Sequence, residues 1–402
     1  MGVNKKYNGY KAYQYLEAGK DYKAFKLAKE IGRVEPYLVP LGSEEEARVK
    51  KIATDNIVIS LHDHPVAWVE DMTEIFECNR EGRHFAAYEG LSTSCLDAVF
   101  DNLMDGVCTI TSKGGWKWSD VIFDLGMRMC DLAHQSFVIP CGSVADITRA
   151  HNEGKIALVP TLESCTMIEN ELDRLDILYG FGVRMMGLVY SESNVLGSGL
   201  KENADGGLTY FGHQAVERLN KLGIAIDVSH CGERTAMDAV KTSAKPIFIT
   251  HTGAKALWDV KRLKSDEVMQ ACAEKGGVIG IEAAPHTTIT KKNELHSIDS
   301  FMEHFEYVKD LVGIDHVSFG PDTLYGDHVG LHHAFAAHLS IKQAFTMHKE
   351  VEYVKGLENP SEASWNTIRW LVKNGYSDED IVKAIGGNTM RVLEEVWHKN
   401  TD

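Results

Sequence analysis

Long apolar runs and a secretory leader are both missing from this sequence. No apolar run among its 402 residues approaches the ~20 residues that a helix needs to cross a bilayer. The N-terminal stretch carries charges and aromatic residues where a signal peptide would carry a short apolar core. The eight cysteines are scattered without a Cys-x-x-Cys pair, which is typical of reduced, mostly buried thiols. These absences predict a cytoplasmic protein with no membrane partner.

Positive charge is also scarce. The chain has 42 lysines and arginines against 58 aspartates and glutamates, which gives a formal net charge of −16. Binding a nucleic acid requires basic side chains that neutralise phosphates, and no basic cluster offsets the acidic excess locally. We therefore expect a small-molecule partner and no nucleic acid.

The chain divides into an N-terminal extension and one large domain. Residues 1–50 are polar, with helically spaced apolar residues in YKAFKLAKEIG (22–32) and a helix-start pattern in SEEEARVKKIATD (43–55). They predict a helical extension packed on the domain formed by residues 51–402. No low-complexity linker interrupts that domain.

Eight short apolar runs recur along the chain after the extension. They are continuous rather than alternating, which is typical of strands buried on both faces of a parallel sheet. Amphipathic helix patterns lie between several of them, as in GHQAVERLNKLG (212–223). This order predicts an α/β fold, a TIM-like (β/α)8 barrel, with a doubly wound open sheet as the competing architecture. The runs are residues 56–64, 106–112, 155–164, 183–191, 224–230, 246–252, 277–283 and 316–322.

Ligand-type side chains stand at the C-terminal ends of five of these runs. Two histidines end the first run in an HDH pattern, and they project to one face, while Asp63 between them points away and is expected to orient the pair or a neighbouring loop. Barrel active sites collect at the C-terminal ends of the strands. A lone histidine pair or acid is more often a turn, capping or packing residue, but the combination predicts a metal site. The set is His62, His64, Glu163, His230, His251 and Asp322.

This set of side chains suits two divalent metal ions. Imidazole and carboxylate ligands together fit zinc, and one carboxylate, here Glu163, can bridge two ions. The two histidines of the first run would bind one ion, and His230 and His251 the other. A hydroxide that bridges two metals can attack a polarised carbonyl without a protein nucleophile. Asp322 would then be a metal ligand, a proton shuttle or both.

Several segments together match the pattern of a known family. ESCTMIENELDRLDILYGFGVRMMGLVYSESN (163–194) joins a glutamate-ended strand to a helix and a further strand, and IDVSHCGERTAMDAV (226–240) and PIFITHTGAKAL (246–257) each carry a strand-end histidine. HVSFGPD (316–322) ends in an aspartate, and GYSDEDIVKAIGGNTMRVLEEVW (375–397) carries a C-terminal GGN. From about residue 55 to 396, the chain resembles the membrane (renal) dipeptidase-like zinc peptidases of the amidohydrolase superfamily.

The resemblance implies roles for individual residues and a homodimer. Glu163 would bridge two zinc ions, His230 and His251 would bind the second ion, and the first-run histidines would bind the first. Asp322 would be the general acid and base. Arg262, in DVKRLKSDEV, falls where the family's arginine holds the terminal carboxylate of the substrate. The alternative for Arg262 is a solvated arginine at a helix start.

The chain departs from the family at three places. The family usually has His-x-Asp on the first strand, whereas this chain has His-x-His with His64. Tyr190 stands where these dipeptidases have a histidine near the substrate carbonyl, and its hydroxyl can donate a hydrogen bond there but carries no positive charge. Glu282, Ala283 and Ala284 replace Asn and aromatic residues, so we expect a wider, more acidic pocket, or a salt bridge of Glu282 at the barrel rim.

Residues 324–356 form a histidine-rich insertion after the eighth run. A third metal site is one interpretation, and packed or exposed helix histidines are favoured because no carboxylate or cysteine has ligand spacing with them. Since loops after barrel strands surround the active site, the insertion is expected to shape a pocket or a dimer contact. The histidines are residues 328, 332, 333, 338 and 347.

Three functions remain open from the sequence. The first is a metal-dependent hydrolase that cleaves an amide bond in a dipeptide or dipeptide-like molecule with a carboxylate, by a metal-bridging hydroxide, with Tyr190 or a metal ion stabilising the oxyanion. The second is a related hydrolase or decarboxylase acting on a non-peptide or cyclic amide. The third is an inert binding barrel, which is disfavoured because the whole ligand set is kept.

Overall fold

The computed structural model describes residues 5–81, 83–102, 117–338 and 350–397, with residues 335–338 described by their backbone alone. The strands are β1 (Ile59–Ala67), β2 (Phe85–Ala86), β3 (Ala98–Asn102), β4 (Val138–Pro140), β5 (Ile156–Leu162), β6 (Met185–Gly187), β7 (Ala225–Asp227), β8 (Phe248–Thr252), β9 (Val278–Ile281), β10 (Val317–Phe319) and β11 (Leu324–Tyr325). The described α-helices span Ser43–Asp55, Ile75–Arg80, Tyr88–Ser92, Trp118–Ala133, Val144–Glu153, Asp173–Gly180, Tyr210–Leu222, Glu233–Thr242, Asp266–Glu274, Ile298–Val312, His328–His338, Pro360–Lys373, Asp378–Val382 and Asn388–Val396. A π-helical segment, Lys383–Gly387, joins the last two helices.

Eight parallel strands form the barrel in the order β1-β3-β5-β6-β7-β8-β9-β10. The link from β10 to β11 returns to β1, because the amide of Asp322 donates to the carbonyl of His62 over 2.9 Å and the amide of His64 donates to the carbonyl of Thr323 over 2.8 Å. β11 then pairs with β1 in parallel. The two ends of the strand order therefore meet, which confirms the predicted TIM-like barrel. Outside this ring, β2 pairs with β1 and β4 pairs with β5.

The second barrel strand differs from the prediction. Between β1 and β5 lies β3, with the sequence AVFDN, in which every residue is buried. Its apolar run is only three residues long, and the polar Asp101 and Asn102 give the segment the composition of a loop. The predicted run at 106–112 lies outside the described residues. Each of the other seven runs overlaps a barrel strand.

The helices between strands bury one apolar stripe, as their spacing predicts. In Tyr210–Leu222 the buried positions include Ala215, Val216 and Leu219, which recur at helical spacing. Gly223 ends this helix with a φ of +75°, a left-handed conformation that glycine adopts without strain. Among the described residues, no helix combines the length and the apolar character that crossing a membrane requires.

Most of the N-terminal extension is not helical. Residues 5–42 contain no α-helix, so the helix predicted at 22–32 is wrong. Leu27 instead forms an antiparallel bridge with Val69, just beyond β1. This pairing satisfies backbone groups that a helix would satisfy internally, so a tertiary contact overrides the local spacing.

The helix predicted at 43–55 is confirmed with those bounds. Glu44, Glu45 and Glu46 occupy its first turn, where negative charge complements the helix dipole. Because this helix runs through residue 50, the domain boundary placed there stays a prediction.

Asp131, in the helix Trp118–Ala133, connects the N-terminal extension to the barrel domain through hydrogen bonds. Its buried carboxylate accepts hydrogen bonds from the hydroxyls of Tyr10 and Tyr88 and from the amide of Tyr13, each 2.8 Å long. Alanine at this position would leave three buried donors without their acceptor. We expect Asp131→Ala to lower the free energy of unfolding, measured in urea, by about 3 kcal/mol.

The matched control for that measurement is Asp173→Ala, which removes a carboxylate that is 88% exposed. Its effect should stay within ~0.5 kcal/mol, as is usual for surface positions. A loss below about 1 kcal/mol for Asp131→Ala would mean that water replaces the carboxylate as the acceptor.

Candidate metal centre

The six side chains predicted as metal ligands come together at the C-terminal ends of the barrel strands. All are largely withdrawn from solvent, and the most accessible one, that of Asp322, is 14% exposed. The six are His62 and His64 in β1, Glu163 after β5, His230 after β7, His251 in β8 and Asp322 after β10.

His62 lies at the centre of this cluster. Its Nε2 is 2.9 Å from Oε1 of Glu163 and 3.4 Å from Oδ1 of Asp322. The same Asp322 oxygen is 3.0 Å from Nε2 of His64. Ligand atoms of His62, His64 and Asp322 lie within 4.8 Å of one another, as do those of His62, Glu163 and His251. Two adjacent groups of three therefore share His62.

His230 and His251 face each other with their Nε2 atoms 3.0 Å apart. Their Nδ1 atoms contact hydroxyl oxygens, that of His230 at 3.1 Å from Ser191 and that of His251 at 2.7 Å from Thr250. The Thr250 hydroxyl donates to Asp227 over 2.8 Å. These hydroxyl contacts fix the orientation of both imidazole rings, so that the two Nε2 atoms point toward the same position.

Charge inside the cluster sets its protonation. Burial lowers the pKa of His62, but the nearby carboxylates of Asp322 and Glu163 outweigh burial and raise this pKa to about 9. The two carboxylates therefore stabilise a positive charge at the position of His62. Burial raises the pKa of Asp322, yet His62 and His64 bring it well below its ordinary value. Asp322 is therefore ionised at neutral pH.

These residues fit divalent metal ions. Burial, assisted by Arg262, lowers the pKa of His230 well below its ordinary value, and burial, His62 and Arg262 do the same for His251. Both imidazoles are then neutral, the form that binds metals. Oε2 of Glu163 is buried and has no hydrogen-bond partner among the described residues. A cation between these groups would satisfy the carboxylate and separate the converging nitrogens.

Local backbone features hold the centre in place. A Cβ on Gly187 would lie 2.0 Å from the carbonyl oxygen of Glu163, so only glycine lets β6 approach that strand end. Asp322 has a φ of +58°, which is uncommon outside glycine but tolerated by aspartate. Asp63 points away from the cluster, and its Oδ1 accepts from both the amide and the hydroxyl of Thr323 over 2.8 Å. Asp63 thereby fixes the loop that carries Asp322, one of the roles predicted for it.

Tyr190 and Arg262 border the second histidine pair. The Tyr190 ring stacks on that of His230 with a centroid distance of 4.4 Å. Nη1 of Arg262 donates to the carbonyl of His251 over 3.0 Å, and its Nη2 forms an ion pair with Glu282. Arg262 is only 14% exposed, so it is not a solvated helix-start residue. The salt bridge predicted as one role of Glu282 is present, with Arg262 as its partner.

The histidine-rich insertion supplies packed histidines. Nε2 atoms of His328 and His332 lie 3.1 Å apart, and burial lowers the pKa of both, to about 4 for His332. His333 forms an exposed contact of 3.3 Å with Glu350. The side chains of residues 338 and 347 lie outside the described part. The groups of three or more metal-ligating side chains within the described residues contain none of these histidines, which favours the packed interpretation.

The sequence analysis missed several residues that support the ligands. Asn102 ends β3 and its amide contacts the His62 ring, while Thr161 donates to its Oδ1 over 2.5 Å. The strand-end rule that identified the candidate ligands would also have identified Asn102, had β3 been recognised. Ser191 and Thr250 gave no signal, because a hydroxyl beside a ligand has no distinctive spacing.

Comparison with known proteins agrees with this geometry. Residues 46–338 match a family model described as membrane dipeptidase (Peptidase family M19). Dipeptidase aclJ of Aspergillus oryzae is 27% identical over 281 residues, which cover 67% of this chain and 61% of that protein. The chain thus spans less than two thirds of that relative.

Solved structures share the fold. An amidohydrolase from Pseudomonas aeruginosa superposes with a TM-score of 0.70 at 26% identity, covering 87% of this chain and 99% of that one. A metallopeptidase from Rhodobacter sphaeroides, solved with a phosphinate mimic of the dipeptide L-Ala-D-Ala, gives a TM-score of 0.64 at 19% identity, covering 85% and 100%. Since the family match includes more than half of the chain and every residue of the cluster, the protein belongs to the membrane dipeptidase family, peptidase family M19.

Proposed function

We propose that the protein is a metal-dependent hydrolase that cleaves an amide bond in a dipeptide or dipeptide-like small molecule. The observation that carries this proposal is the convergence of four imidazoles and two carboxylates at the barrel mouth. Two divalent ions held there would polarise the substrate carbonyl and lower the pKa of water. The family membership, the dipeptidase name of the A. oryzae relative and the dipeptide mimic on the R. sphaeroides enzyme support it.

Each residue of the centre has a distinct part in this proposal. Glu163 would bridge two ions, His62 and His64 would hold the first, and the pair after β7 and in β8 would hold the second. Asp322, also in ligand reach of the first ion, would accept a proton from the attacking water and deliver it to the leaving amine. Its lowered pKa supports this, because only the ionised carboxylate accepts a proton.

Tyr190 and Arg262 would position the substrate. The Tyr190 hydroxyl would donate a hydrogen bond to the carbonyl oxygen as negative charge develops there. The ring's contact with His230 supports this placement. Arg262 would lie beside the leaving end of the substrate, next to the strand that carries His251.

Zinc, a cytoplasmic location and a homodimer complete the proposal. Mixed imidazole and carboxylate ligands support zinc. The seven described cysteines are all free thiols, six of them buried, which supports a reducing compartment. The homodimer rests on the family resemblance.

The test is hydrolysis of a panel of L,L- and L,D-dipeptides, free and C-terminally amidated, by zinc-loaded protein with and without a chelator. We expect cleavage that the chelator abolishes and added zinc restores. If protein shown to hold two metal ions per chain cleaves none of them, peptide hydrolysis is wrong and the non-peptide or cyclic amides become the substrates to screen.

A further inference from the structure

The arginine beside the metal centre is neutralised by a buried acid. Glu282, directly after β9, has no exposed surface and forms an ion pair with Arg262. Arg262 keeps a small exposed fraction, 14%, so it separates Glu282 from the pocket. Burial raises the pKa of Glu282 to about 7 although Arg262 opposes this, so above that pH a substrate would meet the guanidinium with its counter-ion already behind it.

A backbone carbonyl occupies part of the hydrogen-bonding capacity of the guanidinium. Nη1 donates to the His251 carbonyl over 3.0 Å, whereas Nη2 makes the ion-pair contact with Glu282 and has no hydrogen-bond acceptor among the described residues. A bidentate arginine–carboxylate contact needs two parallel N–H donors on one edge of the guanidinium. One terminal nitrogen already has a carbonyl acceptor within the protein, so a carboxylate that contacts both terminal nitrogens would have to share or displace it.

Two lysines near Arg262 have pKa values below the ordinary value. Burial and the nearby Arg262 lower the pKa of Lys201, although Glu192 opposes them. The fully buried Lys264 donates to the carbonyl of Cys231 and lies within reach of Glu233. Burial thus lowers the pKa of both lysines beside the Arg262–Glu282 pair.

We propose that Glu282 sets the substrate class by neutralising Arg262, so that the enzyme prefers amides whose leaving end is uncharged over dipeptides with a free terminal carboxylate. This inference rests on the hydrolase function proposed above. The favoured substrates are C-terminally amidated dipeptides and other amides whose leaving amine carries no carboxylate. Glu282 acts through Arg262 and is a positioning residue, since it is too buried to contact the substrate.

Electrostatics gives the direction of this preference. A free carboxylate brought to Arg262 gains attraction from the guanidinium but is repelled by Glu282, which lies directly behind it. Charge interactions are strong where water is largely excluded, so removing the repulsion should strengthen carboxylate binding about tenfold. An amidated C-terminus carries no charge, so Glu282 does not repel it and the Arg262–Glu282 pair stays intact.

The experiment compares L-alanyl-L-alanine with L-alanyl-L-alaninamide on zinc-loaded wild type and Glu282→Gln above pH 7, where the Glu282 carboxylate is ionised. Wild type should show the higher kcat/KM for the amide. Glu282→Gln keeps the shape and one acceptor oxygen while it removes the charge, and it should lower KM for the free dipeptide about tenfold with kcat unchanged within about threefold. Its constants for the amide should change little.

Glu267→Gln is the matched control, because Glu267 is an exposed acid close to Arg262 in sequence that makes no contact with it in the structure. It should behave as wild type. A wild-type preference for the free dipeptide, or a higher KM for it in Glu282→Gln, overturns the inference and makes Glu282 an aid to carboxylate binding.

Failure of the hydrolase function has a separate readout. If neither compound is cleaved, calorimetry measures the binding of the same two compounds to the zinc-loaded protein. Tighter binding of the amide by wild type would support the inference. Tighter binding of the free dipeptide, or no binding of either compound, would overturn it. If Glu282→Gln does not fold, as judged by its thermal melt, the wild-type preference decides it alone.

Discussion

Glutamine in place of Glu163 is expected to strip metal from the protein and to lower kcat/KM about a thousandfold, or ~4 kcal/mol of transition-state stabilisation. Glu163 is buried, its Oε1 lies 2.9 Å from His62, and its Oε2 has no hydrogen-bond partner among the described residues. A carboxylate placed in this way balances the charge of two cations. Glutamine has nearly the same shape but no charge, so the effect isolates electrostatics from packing.

Metal content per chain, measured by mass spectrometry after dialysis, is the direct readout for this variant. Glu171→Gln is the control, since Glu171 is an exposed acid in the loop after the same strand, and it should keep both ions and full activity. If Glu163→Gln keeps two ions per chain, Glu163 does not bridge them.

The clustering of the six candidate ligands was predictable because one topological rule decides where strand ends meet. Once the continuous apolar runs indicate a parallel barrel, polar residues such as His251 and Asp322 at successive strand ends must share its mouth. No pairwise distance was needed for that step. The same rule predicts that Asp63, one residue out of phase with its histidine neighbours, faces the other way, and its hydrogen bonds to Thr323 agree.

Segments whose structure depends on distant partners were not predictable in this way. β3 contributes only three apolar residues and is identified as a strand by its pairing with β1 and β5. Residues 22–32 have helical spacing but meet Val69, which offers backbone partners to an extended chain. In both cases the deciding interaction joins residues far apart in sequence, and local propensity is too weak to oppose it.

The Arg262–Glu282 pair shows how a structure changes a role inferred from resemblance. The family resemblance alone implies that Arg262 holds a substrate carboxylate. The structure gives that arginine a buried counter-ion, and Glu282 was expected only to acidify the pocket or to form a rim salt bridge. The pair links Glu282, which follows β9, to Arg262 in the loop after β8. A substitution of Glu282 therefore changes the net charge around Arg262.

Asparagine in place of Asp322 is expected to lower kcat about a thousandfold while both metal ions stay bound. The four imidazoles and Glu163 remain to hold the ions, and asparagine keeps a ligand oxygen. It has no carboxylate to accept a proton from water and return it to the leaving amine. His62 and His64 keep the pKa of Asp322 well below its ordinary value, so the wild-type group is ionised and ready to accept that proton.

Asp327→Asn makes the same chemical change five residues along the chain, beyond β11, where the carboxylate accepts a hydrogen bond from the Gly330 amide over 2.9 Å. It should keep kcat within about threefold, as expected outside the reacting centre. Metal analysis and a pH–rate profile complete the comparison for Asp322→Asn. Unchanged kcat in that variant would assign the proton transfer to another group, whereas loss of one ion together with the rate would show that Asp322 acts as a metal ligand first. Full metal content with a thousandfold slower kcat is the result that a proton shuttle requires.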